Sequence, residues 1–227
     1  MPGRVLLEVC VETPAGARAA QVGGADRLEL CADLAADGLT PPPGALAAVR
    51  AACSLPVYVL VRPRAGSFVL DEAGLGLVRT QMEAARRAGA DGLVIGALAA
   101  DGSLPLPALA GLVRVAGGLP LTFHRAFDHV ADPHTALDQL IALGFARVLT
   151  AGGPGRAADH APRLAALVRQ AAGRIVVMPG GGLRAAGAAA LRRTTAAGEY
   201  HSAARRAGSA DADRGEVAAL RAALDGA

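Results

Sequence analysis

Eight short β-type runs alternate with longer alanine-rich stretches along this chain, and that alternation constrains its fold more than any other feature. The runs fall at Leu6–Cys10, Arg27–Cys31, Val57–Arg62, Leu93–Ala97, Leu121–His124, Arg147–Thr150, Ile175–Met178 and Glu199–His201. Helical patterns fill the intervals at Pro14–Val22, Gly44–Cys53, Glu72–Ala88, Pro105–Val115, Pro133–Leu143, Ala158–Ala171 and Arg184–Ala196, with a last helix over Glu216–Leu224. Glycines placed before strands, as in Gly24-Ala25-Asp26 and Gly144-Phe145-Ala146, suit the left-handed residue that ends a helix. Asp132-Pro133 reads as an N-cap followed by proline at the first helical position. Strands separated by helices predict a parallel sheet. Eight units in 227 residues leave about 28 residues each, which suits a compact (β/α)8 TIM barrel. The rival, an open doubly wound sheet, usually carries a glycine-rich turn after its first strand. Here Val11-Glu12-Thr13-Pro14 follows, and the barrel is preferred.

No linker or charge block divides the sequence, so residues 1–227 are predicted to form a single domain. The apolar share is 52%, much of it alanine, which excludes a disordered chain. No apolar run reaches the ~18–20 residues of a membrane span, and the first ten residues lack the pattern of a signal peptide. Three cysteines without paired spacing suggest a reduced, cytoplasmic protein. All 23 basic residues are arginine. Without lysine there is no imine chemistry, no pyridoxal attachment and no P-loop. A net charge of +3, arginines spread along the chain and 3% aromatics argue against nucleic-acid binding.

The chemically informative residues collect at the C-terminal ends of the strands, the face where barrel enzymes keep their sites. The first two strands both carry Glu-x-Cys. Alternation points Glu8 and Cys10 one way, and Glu29 and Cys31 likewise. Thiols on neighbouring strands suit a soft metal such as Cu(I); equally, Cys10 and Cys31 suit small buried hydrophobes. Cys53 falls in or just past the second helix and reads as structural. Glutamates inside a barrel need partners, and Arg62 and Arg64 on the next strand are the available ones. That set reads as an ion-pair network, or as a base or metal ligand beside an arginine clamp for an anion. His124 and His201 end strands and are candidate acids, bases or ligands. Arg125 and Asp128 stand beside His124, whereas His129, His134 and His160 are expected in solvent. Thr150 ends the sixth strand, and Gly180, Gly181 and Gly182 follow the seventh, directly before a helix. These four are candidate anion-binding positions, since glycine N–H groups and a helix N-terminus favour an anion; a tight turn without a ligand is the plainer reading of the glycines.

Taken together, the segments LEVCVET, GGADRLELCADL, GLTPP, VRPRAG, TFHRAFD, VLTAG, MPGGG and EYHSAAR resemble the CutC family, in order and over nearly the whole chain. The resemblance implies a βα barrel, a cytoplasmic location, a homo-oligomer (dimer or tetramer), and an association with copper homeostasis. It also implies Cu(I) binding through two cysteines that fall at Cys10 and Cys31. It brings no established reaction. Ala65, Asp33, Pro42 and Ala203 depart from the family's frequent residues; the Glu, Cys, Arg and His positions are all present.

Two functions from different classes follow. One is a copper-handling protein binding Cu(I) through Cys10 and Cys31. The other is an isomerase- or lyase-type enzyme acting on a small phosphorylated or carboxylated metabolite. In the second, Gly180–Gly182 and an arginine hold the anion while Glu8, Glu29 or His124 moves a proton with help from His201. A barrel kept only as an interaction scaffold is the third reading.

Overall fold

The computed structural model describes residues 4–206, 208–209 and 211–227. Eight strands are present: β1 (Leu6–Val11), β2 (Arg27–Leu30), β3 (Val57–Leu60), β4 (Gly92–Ile95), β5 (Leu121–Phe123), β6 (Arg147–Thr150), β7 (Val176–Pro179) and β8 (Glu199–Ser202). Eight helices alternate with them: α1 (Pro14–Gly23), α2 (Ala45–Arg50), α3 (Glu72–Arg87), α4 (Leu106–Ala116), α5 (Pro133–Leu143), α6 (Ala161–Ala171), α7 (Ala185–Thr195) and α8 (Arg214–Asp225). All seven strand pairings are parallel, in the order β7-β6-β5-β4-β3-β2-β1-β8. β7 and β8 lie side by side, so the sheet comes round into the expected (β/α)8 barrel. No described helix is long and apolar enough to cross a membrane.

The local signals work as the residues suggest. Asp132 accepts N–H bonds from His134 and Thr135 to start α5 at Pro133, and Gly144 ends it in the left-handed region at φ 83°. Several boundaries shift by a residue or two, and three of the differences have a visible local cause. The second helix is shorter than Gly44–Cys53, leaving half-buried Cys53 in the following turn, packed on the core. Pro162 sits in the first turn of α6, and Ala157–His160 before it forms a separate 3-10 turn. The third strand ends at Leu60, because the Arg62 N–H leaves the ladder and donates to the Thr40 hydroxyl at 2.9 Å.

Two apolar regions hold the barrel together. The larger packs Leu7, Val9, Leu28, Leu93 and Phe123 outward against helix residues such as Leu109, Leu137 and Leu220. The smaller, Cys10, Cys31, Tyr58, Leu60 and Val94, lies on the opposite strand faces, inside the barrel. The interior positions Gly92 and Gly96 on and just after β4 carry no side chain. A Cβ at Gly96 would fall 2.3 Å from the His124 ring, so this glycine makes the space that the imidazole occupies.

Candidate functional site

Strand register brings the interior charges together. Glu8 on β1 stands level with Arg27 on β2 and with His201 on β8. Below, Arg27 donates through Nε to Glu8 and through Nη2 to Glu199 at 2.6 Å. Arg147 donates to Glu199 at 3.0 Å and to the Tyr58 hydroxyl at 3.2 Å. The Tyr58 ring packs against both guanidinium groups, 4.8 and 5.2 Å from its centroid. This layer is a closed floor of two arginines and two glutamates. The partners of Glu8 are therefore Arg27 and His201, in place of the Arg62 and Arg64 expected from the sequence.

On this floor stands a three-residue chain. The His201 Nδ1–H donates to Glu8 Oε1 at 2.8 Å, and His201 Nε2 lies 3.6 Å from Glu29 Oε2. Burial alone would raise the Glu8 carboxyl, but the charges of Arg27 and His201 outweigh it and hold the group at about 2. Burial and the neighbouring Glu8 charge push Glu29 up. Burial disfavours the His201 imidazolium, yet the bond to Glu8 and the Glu29 charge raise the imidazole overall. Glu8 is thus a fixed carboxylate that orients His201. Glu29 and His201 face the cavity.

The cavity above has a volume of about 290 Å³ and opens at the C-terminal mouth of the barrel. Cys10, Glu29, Arg62, His124, Arg125 and His201 all line it. Cys10 and Cys31 are both 1% exposed, with their sulfurs 2.9 Å apart. The bond to Cys31, burial and the nearby Glu29 raise the Cys10 thiol well above its ordinary value. Two thiolates on one ion, each about 2.3 Å from it in tetrahedral geometry, stand about 3.8 Å apart. Among the described residues, no third His, Cys, Asp or Glu completes a metal-binding group with them. As they stand, the cysteines suit a hydrogen-bonded thiol pair, and an ion between them requires the sulfurs to part and ionise.

The remaining expected residues separate into those that reach the cavity and those that do not. Arg125 lines it, held by Asp128 at 2.8 Å. Asp128 itself is spent: its other oxygen accepts from the Thr150 hydroxyl and the Ala151 N–H. The Thr150 hydroxyl accepts from the Gly152 N–H in turn, so Thr150 is buried and turned to structure rather than to an anion. Arg64 is half-exposed, bonds the Val69 carbonyl and lies outside the cavity wall. Gly180 spends its N–H on the Thr150 carbonyl, whereas Gly181 and Gly182 line the cavity. Both have positive φ, 101° and 67°, which favours glycine there. In the first turn of α7 the Ala185 N–H is already taken by Glu216, which leaves one fewer donor at that helix end for an anion. His129, expected in solvent, is exposed but stacks on Phe68 and lines the cavity.

Sequence reasoning passed over Arg27, Tyr58, Phe68 and Glu199. Arg27 and Glu199 each precede a singled-out residue by two positions, and the period of a strand puts such pairs on one face. That signal was available. Phe68 lies in a loop, and no periodicity marks it.

Comparison with known proteins places the chain in a family. The CutC family model matches residues 5–206. A CutC family protein of Caulobacter vibrioides is 53% identical over 177 residues, covering 78% of this chain and 72% of that one. One from Xanthomonas axonopodis pv. citri is 49% identical over 199 residues, covering 88% and 83%. A solved structure from Streptococcus agalactiae, named CutC for a copper homeostasis role, superposes with a TM-score of 0.83 at 31% identity over 88% of this chain and 98% of that one. The N-(5'-phosphoribosyl)anthranilate isomerase of Pyrococcus furiosus, at 13% identity, covers 98% of this chain and 100% of its own with a TM-score of 0.65, a likeness of fold alone. With its family model spanning nearly all of the described barrel and relatives near half identity, this chain belongs to the CutC family.

Proposed function

We propose that this chain is an enzyme that moves a proton on a small anionic metabolite bound at the barrel mouth. The observation that carries the reading is the Glu8–His201–Glu29 chain, anchored from below by Arg27 and open to the cavity at Glu29 and His201. Such an arrangement orients an imidazole through one nitrogen and leaves a carboxyl and the other nitrogen for the substrate. Glu29 takes a proton from carbon next to a carbonyl and returns it to the neighbouring atom, with His201 as its partner. Glu8 keeps the His201 ring in place and stays ionised throughout. The N–H groups of Gly181 and Gly182 have no backbone acceptor among the described residues, and with Arg125 they offer a seat for an anionic end at the rim. The absence of lysine leaves acid–base rather than imine chemistry.

A screen by isotope exchange tests this across a whole substrate class at once. The protein is incubated in D2O with a panel of small phosphorylated and carboxylated metabolites, and loss of C–H signal is followed by proton NMR. Exchange at one carbon position of a panel member, abolished in Glu29→Gln, is expected. An absence of exchange across the panel, or exchange equal in Glu29→Gln, overturns the reading.

One observation favours a second reading, Cu(I) as cargo. Cys10 and Cys31 are adjacent, and Cys10 lines the cavity. The copper homeostasis role in the name of the streptococcal relative points the same way. An anaerobic Cu(I) competition against a chromogenic chelator tests it. Stoichiometric binding strong enough to strip the chelator, and lost in Cys10→Ser/Cys31→Ser, supports the cargo role; weak binding, or binding that survives the double substitution, ends it.

A further inference from the structure

Four arginines line the cavity, and three of them already have a carboxylate. Arg125 has Asp128, Arg184 has Glu216 and Arg205 has Glu12. Arg62 is different. Its two terminal nitrogens donate to the backbone carbonyls of Ala36, Gly38 and Gly66, which fix the guanidinium, while the charge of Asp37, also in the cavity lining, reaches it without an ion-pair contact. It is only 6% exposed, and its Nε–H has no acceptor among the described residues. A buried cation without an ion-paired anion is costly.

His124 repeats the pattern. It is 5% exposed, and its Nδ1 accepts the Ala126 N–H at 3.1 Å. The remaining proton therefore sits on Nε2, which also has no partner among the described residues. Burial and the Arg62 charge hold this ring neutral, at about 3. Both groups pack on one aromatic ring: the Arg62 guanidinium carbon is 4.9 Å from the Phe68 centroid, and the His124 ring is 5.1 Å from it. The space the imidazole occupies depends on the missing side chain of Gly96.

We infer that Arg62, His124 and Phe68 form a subsite for the carboxylate of a small metabolite. Two N–H donors with no acceptor of their own among the described residues, one on a cation without an ion-paired carboxylate and one neutral, match the two oxygens and single charge of a carboxylate. A phosphate dianion calls for more donors than this pair supplies. The aromatic wall excludes water and strengthens both bonds. The inference rests on reading the mouth as a small-molecule site, and it narrows the substrate class from anionic to carboxylated.

The test uses [15N]histidine-labelled protein titrated with sodium acetate, with sodium chloride at matched ionic strength, and with sodium phosphate. The His124 Nε2–H signal, assigned by its loss in His124→Phe, is expected to shift and saturate with acetate but not with chloride or phosphate. Acetate affinity, followed in the variants by the signals of the cavity-lining His129 and His201, is expected to fall at least tenfold in His124→Phe and to recover in part in His124→Gln, which restores an N–H. The absence of a saturable shift in the wild type, an equal shift with chloride, saturation by phosphate in place of acetate, or unchanged affinity in His124→Phe overturns the inference. Acetate binding involves no turnover. Its failure leaves a proton-exchange result standing, and a failure of proton exchange leaves acetate binding standing.

Discussion

Arg27 and Arg62 are both buried arginines inside one barrel, and they are treated in opposite ways. Arg27 at the floor is bracketed by Glu8 and Glu199, with the Tyr58 ring packed against it. Arg62 at the mouth has backbone carbonyls and a phenyl ring, and the Asp37 charge reaches it without an ion-pair contact. A fold that needed only stability would pair both. The floor is a finished network whose parts serve each other, whereas the mouth keeps donors in reserve, as binding sites do at a cost in stability. Neutral His124, whose Nε2–H has no partner among the described residues, belongs with the second group, and the Glu8–His201–Glu29 chain joins the two.

Breaking the floor has the largest expected effect. Arg27→Met leaves Glu8 and Glu199 without their shared cation, and loss of one partner of a buried ion pair costs about 3–5 kcal/mol. Urea unfolding of this variant checks it; a change below about 1 kcal/mol means the network is far weaker than its geometry suggests. Gly96→Ala comes next. The added methyl meets the His124 ring, and overpacking of this kind costs about 1–3 kcal/mol. Acetate binding should weaken with it, because the imidazole must move.

The smallest effect on stability is expected for His124→Phe. It loses the Ala126 N–H bond but also removes an unpartnered buried donor, so the net change at neutral pH is within about 1 kcal/mol. Its effect appears in the pH profile instead. The folded value of His124, about 3, lies below the ordinary 6.5, so the unfolded chain takes up the proton first. Native stability contributed by the neutral ring is therefore lost as pH falls from 6.5 toward 3. Glu8, held at about 2, adds a loss only further into acid, below the ordinary carboxyl value of 4.5. His201 and Glu29, both raised, act in the opposite direction but alike in both proteins, so on going from pH 6.5 to 4.5 the wild type should lose more stability relative to His124→Phe, as read from unfolding midpoints. Parallel slopes would deny that His124 is buried and neutral.

The barrel was legible because its signals are local and repeated. Gly144, Asp132 and the eightfold alternation each act over a few residues, and packing only confirms them. The site was legible in part, for a reason that Arg62 and Arg64 make plain. Strand parity correctly places Glu29, Cys31 and His201 inward. Parity holds only while the ladder does, and the chain leaves it after Leu60. Beyond Pro63 the i, i+2 rule lapses, and Arg64 turns out to solvent while Arg62 turns in. Thr150 and Asp128 sit where expected, but their polar atoms bond to each other, which spacing along a chain does not reveal. Phe68 reaches the site from a loop, by tertiary contact alone.

The claim that the mouth is a proton-transfer site, with the sulfurs beside it in a supporting place, is tested most directly by solvent deuterium exchange on three proteins side by side: wild type, Glu29→Gln and Cys10→Ser/Cys31→Ser. The account predicts exchange at a carbon of a small carboxylated metabolite in the wild type, retained in the cysteine double variant and abolished in Glu29→Gln. Exchange lost with the sulfurs but kept without Glu29, or absent from all three proteins across the panel, would contradict it.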